Sequence, residues 1–372
     1  MDAQRLRDNL ARVMMHGDEV PLFFFSDLFL RHPEVRELFP VGMDVTRDRL
    51  VAALARIVSE ADNLDSLVPF LQGLGRDHRK FGAVAAHFGA VGTSLIAALR
   101  HFTGPDWSAD LEAEWKGAFG VVAKVMIDAA AEDQHAHPPW WDATVVSHEL
   151  RTFDIAVIRL AVSEPLPYRP GQTVSVECQK APRYWRFYSV ANAPREDGTL
   201  DLHVSMLDGG MVSPVLARGI SVGARLRLGS AVGVFGLTEQ PQRDILMVAG
   251  GTGLAPLKAI VEQLADLRDP PRVHLFFGAR RAEGLYDLPD LEKMAARWPW
   301  LTVTPACSGD PDFEGESGSI ADVVTRSGNW SRHDAYVAGP TGMAGTTADR
   351  LISVGVPGDR LHIEDFGWGD IT

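Results

Sequence analysis

Cysteine is scarce in this chain. Its 372 residues hold two, Cys178 and Cys307. Two thiols build no disulfide scaffold and cannot ligate an iron–sulfur cluster, which takes several thiolates. Positive charge is short as well: 36 Lys and Arg stand against 49 Asp and Glu, a formal net charge of -13. That balance excludes a dominant non-specific surface for nucleic acid, since binding phosphates needs concentrated positive charge. No run of about 18 apolar residues occurs, so no membrane span is expected. The opening MDAQRLRDNLARV has no apolar signal core, and the expected compartment is the cytoplasm. Internal repeats and low-complexity tails are missing too. What is present is ordinary globular material, 46% hydrophobic and 23% charged. At roughly 100–200 residues per domain, the length suits two or three domains.

Three regimes follow one another along the chain. Residues 1–133 carry apolar positions at helical spacing, as in PLFFFSDLFLRHPEVRELF and in two long stretches at 88–102 and 108–132. EDQHAHPPWW then breaks the pattern, because Pro138 and Pro139 cannot continue a helix. Residues 134–141 are therefore read as a linker. Over 142–241 the period becomes two, in TVVSHEL, FDIAVIRLAV, TVSVECQ, FYSVAN and TLDLHVSML. Short strands between Gly and Pro turns indicate an antiparallel β-barrel. From 242 to 372, the apolar strands DILMVAG, HLFFGAR, LTVTPAC and HDAYVAGP alternate with helical stretches. That alternation indicates an α/β domain with a parallel sheet. The fold class expected is thus multidomain: all-α, then antiparallel barrel, then parallel α/β.

Several segments have chemistry in them. DILMVAGGTGLAP runs an apolar strand straight into Gly250, Gly251, Thr252 and Gly253 before a helix. Such a turn either cradles a pyrophosphate on the helix N–H groups or merely turns the chain tightly. VAGPTGM at 337–343 ends another strand and admits the same two readings. Arg280 and Arg281 follow HLFFGA, where they either meet a ribose 2′-phosphate or are simply solvated, so NADH and NADPH both stay open. RFYS puts Arg186, Tyr188 and Ser189 on one strand. The guanidinium suits a phosphate, and a ring two residues on shares its face. LDGGMVSPVL supplies Gly209, Gly210 and Ser213 at a strand–helix junction. In the helical part, GLGRDHRKFG places His78 near a helix end. A neutral imidazole there is either an axial iron ligand or one more surface histidine.

YRPGQTVSV, RFYS, GGMVS, GVFGL, GGTGLAP, AGPTGM and HIEDFGW occur in this order. Together they resemble the ferredoxin-NADP reductase superfamily over about 230 residues. The resemblance implies FAD held by RFYS: Arg186 at the pyrophosphate, Phe187 between, Tyr188 stacked on the isoalloxazine and Ser189 near its N5. Gly209, Gly210, Met211, Val212 and Ser213 match its second FAD phosphate loop. Gly250, Gly251, Thr252, Gly253, Leu254, Ala255 and Pro256 match its nicotinamide-nucleotide loop, with Arg280, Gly339 and Pro340 also on the nucleotide side. Glu364 and Phe366 match the acid and aromatic beside the flavin, and Ala338 stands where the superfamily commonly has Cys.

FFFSDLFLRHPEVRELFP, LGRDHRKFG and FGAVGTSLIAALRHF extend the likeness to the whole chain, which resembles the flavohemoglobins. That resemblance implies haem b held by His78 as the iron ligand, with Phe39 packing on the porphyrin and Leu50 on the distal helix. Glu132 matches the acid of the proximal hydrogen-bond network. Phe25 and Thr46 stand at the distal Tyr and Gln positions, and Phe88 at the proximal Tyr. Phe cannot donate a hydrogen bond to a distal ligand. The implied activity passes electrons from NAD(P)H through FAD to haem and converts nitric oxide and dioxygen to nitrate. The alternative is an NAD(P)H-dependent flavin reductase whose globin serves another oxidant, an electron partner or gas sensing. Small molecules are the expected partners, and the chain is read as a monomer or weak homodimer.

Overall fold

A computed structural model gives the fold and describes residues 2–237 and 240–364. Helix formation starts at Asp2, whose carboxylate accepts the Arg5 N–H at 3.1 Å and caps α1 (Ala3–Met14). The helical unit continues through α2 (Glu19–Arg31), α3 (Asp44–Ser59), α4 (Leu64–His78), α5 (Ala85–Thr103) and α6 (Ala109–Asp133). Asn9 is buried between three of them: its amide donates to Thr103 Oγ1 at 2.9 Å, and its oxygen accepts from Trp115 Nε1 at 2.9 Å. Both halves of the amide are satisfied, so the polar group sits in the core at little cost.

The helical unit has two separate apolar clusters. One joins α1, α2, α3 and α5 around Leu10, Phe24, Leu28 and Leu99. The other joins α4 to α6 around Leu67, Leu71 and Met126. Helix α4 lies unusually close to α6 because Gly75 has no side chain; a Cβ there would fall 2.3 Å from the Met126 carbonyl oxygen. Contact between α3 and α4 is made near the turn that joins them, where the Arg56 guanidinium lies 4.0 Å from the Phe70 ring and Ser66 donates to Glu60 at 2.8 Å.

The chain divides into a unit ending at Trp140 and a second beginning at Trp141. In the second, β1 (Trp141–Leu150), β2 (Ile155–Val162), β3 (Thr173–Cys178), β4 (Ala181–Ser189), β5 (Thr199–Ser205) and β6 (Arg225–Leu228) form an antiparallel sheet. Its order is β4-β3-β6-β1-β2-β5, and it curls so that a bridge between Val190 and Leu202 joins its two edges. Val145, Ile158, Leu160, Val174 and Leu202 fill its interior.

The parallel sheet comprises β7 (Ile245–Gly250), β8 (Val273–Ala279), β9 (Leu301–Cys307), β10 (Glu316–Ser317), β11 (Asp334–Ala338) and β12 (Leu361–Ile363). Helices α7 (Leu254–Leu264), α8 (Leu288–Arg297), α9 (Ile320–Ser327) and α10 (Thr341–Ser353) connect the strands. The order β10-β9-β8-β7-β11-β12 reverses direction between β7 and β11. In an open α/β sheet the ligand crevice lies at the carboxyl ends of the strands at this reversal. The curled and parallel sheets belong to one compact unit, and Ile155 and Phe235 of the former pack in the core of the latter. Among the described residues, no single helix is long and apolar enough to cross a membrane.

Candidate active site

The nucleotide end is built by backbone crowding. GGTG leaves β7 and AGP leaves β11, the two strands flanking the reversal. A Cβ on Gly253 would lie 2.4 Å from the backbone of Ala338 and Gly339, so only glycine lets the two loops meet. Gly339 adds a φ of +154°. Gly250, Gly251, Thr252 and Pro340 border the same crossing. Leu254, Ala255 and Pro256, read as part of the nucleotide loop, have their side chains buried in the sheet–helix core. They anchor the start of α7, leaving backbone N–H groups to meet a phosphate, and Pro256 has none. Arg280 is exposed just past β8, and its carbonyl accepts the Gly309 N–H at 2.8 Å. We expect Gly253→Ala to force these loops apart at a cost of about 3 kcal/mol. Thermal denaturation should show a Tm roughly 6–12 °C lower, with a raised KM for the nicotinamide nucleotide.

On β4, Arg186 and Tyr188 are half-buried, and Tyr188 packs against the interior of the curled sheet. One Arg186 N–H is committed to the Trp185 carbonyl at 2.9 Å. Phe187 is half-buried between them. Burial raises the Tyr188 phenol pKa, so the ring is neutral. Ser189 is buried and donates to Glu364 Oε1 at 2.5 Å. Glu364 follows β12, and its N–H is held by the Val337 carbonyl at 2.9 Å. Burial pushes the Glu364 carboxyl up to about 8, against the opposing effect of the Ser189 hydrogen bond. Its Oε2 is buried with no hydrogen-bond partner among the described residues, an orphan of the kind a bound group satisfies. Phe366 lies outside the described residues. In GGMVS, Gly209 has a φ of +74°, Val212 is buried in the sheet interior, and Met211 is exposed. The Gly210 N–H donates to the Leu207 carbonyl at 3.0 Å, and Ser213 Oγ accepts the Leu207 N–H at 3.0 Å, which closes this loop.

In the helical unit, His78 ends α4, and its Nδ1 lies 2.7 Å from the Leu74 carbonyl oxygen. A carbonyl only accepts, so Nδ1 carries the proton and Nε2 keeps its lone pair. Burial lowers the His78 pKa, which keeps the ring neutral. Phe25 is buried with its ring 5.5 Å from Phe39, and Phe29 stands 5.3 Å from Phe39. Arg36 holds this corner by donating to the Phe39 and Pro40 carbonyls at 3.1 and 3.0 Å. Leu50 lines a small apolar cleft with Phe24, Leu54, Leu95 and Leu99. Thr46 is half-buried in the first turn of α3, and Phe88 packs beside the α4–α6 cluster.

Glu132 is corrected by the fold. Its side chain is exposed on α6, and the acid that reaches the His78 end of α4 is its neighbour Asp133. Asp133 pairs with Arg79 and accepts from His137 Nδ1 at 2.8 Å, while Arg79 also donates to the His137 carbonyl at 2.8 Å. One residue turns a helix by about 100°, which is enough to exchange a buried acid for an exposed one. The available signal was Arg79 itself, a fixed charge beside His78 that needs a partner when buried.

These residues fit their groups. A neutral imidazole whose Nδ1 is engaged by a backbone carbonyl and whose Nε2 keeps its lone pair suits haem iron. The Arg186, Tyr188 and Ser189 set with its orphaned carboxylate suits a flavin, and the glycine crossing suits a dinucleotide. Fold and site together define an FAD- and NAD(P)H-dependent oxidoreductase coupled to a globin. Residues 22–126 match the Globin family, 141–236 the oxidoreductase FAD-binding domain and 247–349 the oxidoreductase NAD-binding domain. A flavohemoprotein of Bordetella parapertussis is 27% identical over 388 residues, covering 96% of this chain and 95% of the relative. The ferredoxin–NAD(P)(+) reductase component of a Ralstonia naphthalene dioxygenase/salicylate hydroxylase system is 31% identical over 60% of this chain and 68% of its own. The flavohemoglobin of Malassezia yamatoensis shares the fold, with a TM-score of 0.80 at 16% identity and 98% coverage of both chains. The chain is a globin domain fused to an FAD/NAD(P)H oxidoreductase module, and it matches flavohemoproteins in this architecture along nearly its whole length. It is an oxidoreductase whose cofactors are haem, FAD and NAD(P)H, and electrons pass from NAD(P)H through FAD to haem.

Proposed function

We propose that this protein is a nitric oxide dioxygenase, with His78 as its iron ligand and Ser189 and Glu364 serving hydride transfer. The observation that carries the reading is the His78 ring, fixed by Leu74 with Nε2 left free. When bound, FAD splits a hydride into single electrons, and haem iron supplies the centre at which dioxygen and nitric oxide combine. The chain's own groups do the rest. Leu74 orients the imidazole and keeps its Nδ1 proton. Arg79 and Asp133 tie the end of α4 to the end of α6. Phe25, Phe29 and Phe39 make an apolar wall that excludes water. Arg186 offers charge to a pyrophosphate, and Tyr188 a flat face to a ring. Glu364 holds a proton near neutral pH, and Ser189 fixes which of its oxygens is engaged.

Phe25 favours a second reading. A buried phenyl donates nothing to a polar ligand, so Phe25 would give no hydrogen bond to one held by the haem. A reductase that hands electrons to another oxidant or partner, or a gas-sensing globin, then follows. The test is nitric oxide consumption by the purified protein, supplied with NADH or NADPH under air, with each component left out in turn. Nitrate formation that needs both reductant and dioxygen is the expected result. Steady NAD(P)H oxidation without loss of nitric oxide would turn the assignment to the second reading.

A further inference from the structure

Helix α7 starts at the GGTG loop and carries two ionisable side chains one turn apart, Lys258 and Glu262. At that spacing they share a face. Lys258 Nζ lies 2.5 Å from Oδ2 of the fully buried Asp287, and Arg151, from the turn between β1 and β2, reaches Asp287 Oδ1 at 3.7 Å and Asp290 at 3.1 Å. Glu262 Oε2 accepts the backbone N–H of Ala193 at 3.1 Å, in the loop that follows β4. Arg195 of that loop stands 3.8 Å from Glu262 Oε1 and 2.8 Å from Asp201 on β5. A third link is buried nearby, with His203 Nδ1 on β5 lying 2.7 Å from the Tyr286 hydroxyl.

These contacts join the curled sheet to the elements around the nucleotide loop. Stability alone does not call for them. Buried ion pairs return about what their desolvation costs, and apolar packing does as well. The same junction already has Ile155 and Phe235 packed into the parallel-sheet core. Directional bonds add what apolar contact lacks, a fixed register. The chain positions show which register is at stake. Ala193 follows Ser189 by four residues, and Glu262 follows Leu254, where α7 begins, by eight. The Glu262–Ala193 bond therefore spans the strand that bears the flavin-side residues and the helix that bears the dinucleotide loop.

We propose that Glu262 is a positioning residue for hydride transfer, holding α7 on the loop after β4 and so setting the separation between nicotinamide and flavin. This rests on the reading that FAD lies along β4 and the dinucleotide at the start of α7. Burial raises the Glu262 pKa, while Arg195 and the Ala193 N–H oppose that rise. A misplacement of about 1 Å between reacting groups costs on the order of 100-fold in rate.

The experiment uses the full-length holoprotein and anaerobic single turnovers, with the better of NADH and NADPH. Flavin bleaching gives the hydride-transfer rate, and the long-wavelength charge-transfer absorbance reports ring stacking independently of turnover. Glu262→Ala should slow flavin reduction at saturating nucleotide by roughly 10- to 100-fold. It should also weaken the charge-transfer band, leaving FAD content and KM nearly unchanged. Glu262→Gln keeps an oxygen for the Ala193 N–H and should recover most of the rate. Glu262→Asp, shorter by one methylene, should be slow, and it decides the matter if the alanine variant does not fold. Wild-type rate and band in Glu262→Ala or Glu262→Asp, even with a lowered Tm, would overturn the proposal. So would a glutamine variant as slow as the alanine one. Wild-type protein whose flavin is not reduced by either nucleotide would instead refute the underlying reading of the site.

Discussion

Replacing His78 by alanine should remove imidazole-ligated haem from the protein while leaving its flavin chemistry intact. The reason is local. His78 is the residue whose Nε2 is left free because Nδ1–H donates to the Leu74 carbonyl, N···O 2.7 Å. Loss of a partner that merely orients a metal-bound histidine costs about 10–100-fold in affinity or activity. Loss of the ligand itself should lower nitric oxide consumption by roughly two orders of magnitude or more. Reduction of ferricyanide by NAD(P)H needs only the reductase unit and should stay within about twofold of wild type. Imidazole added to the variant should restore part of the six-coordinate or five-coordinate haem spectrum, which separates ligand loss from unfolding. A wild-type Soret band in His78→Ala would show that another residue holds the iron.

Removing the buried acid should have the second large effect, on the hydride step. Glu364 titrates at about 8 because its carboxyl is buried, so below that pH it holds a proton beside Ser189. A positioned acid or base contributes about 100- to 10,000-fold to such steps. Glu364→Gln should therefore slow flavin reduction by about 100-fold or more. In wild type, the rate should be flat on the acid side and fall tenfold per unit above about pH 8. In Glu364→Gln that break should disappear. Ser189→Ala removes the hydrogen bond that lowers the Glu364 pKa, so the break should move to higher pH. Stability carries the same signature. Between the ordinary carboxyl value of 4.5 and about 8, the folded chain keeps a proton that the unfolded chain releases. Stability should then fall as pH rises through this window, by at most about 1.4 kcal/mol per unit. The slope should be absent in Glu364→Gln. A pH profile identical in the two proteins would remove Glu364 from the proton path.

Much of this protein was legible in order along the chain. Apolar spacing changes from helical to alternating near the double proline and then to a strand–helix alternation, and the three architectures follow those changes. Binding turns are also local objects. GGTG and AGP are read from a few consecutive residues because the property they need, a backbone without Cβ, belongs to each residue alone.

What the spacing left undecided are relations between distant or adjacent side chains. Glu364 meets Ser189 across 175 positions, and only the pairing of β12 with β11 brings it there. Glu132 and Asp133 are equal in charge and neighbours in the chain, yet only Asp133 turns toward Arg79, since a helix rotates about 100° per residue. Leu254, Ala255 and Pro256 belong to a nucleotide-loop motif but face the core. Glu262 sits in no motif at all, and its partner is a backbone N–H in the loop after β4. Local pattern determines which element a residue joins. The direction in which its side chain points, and what it meets there, is settled by packing between elements, where each burial depends on the others.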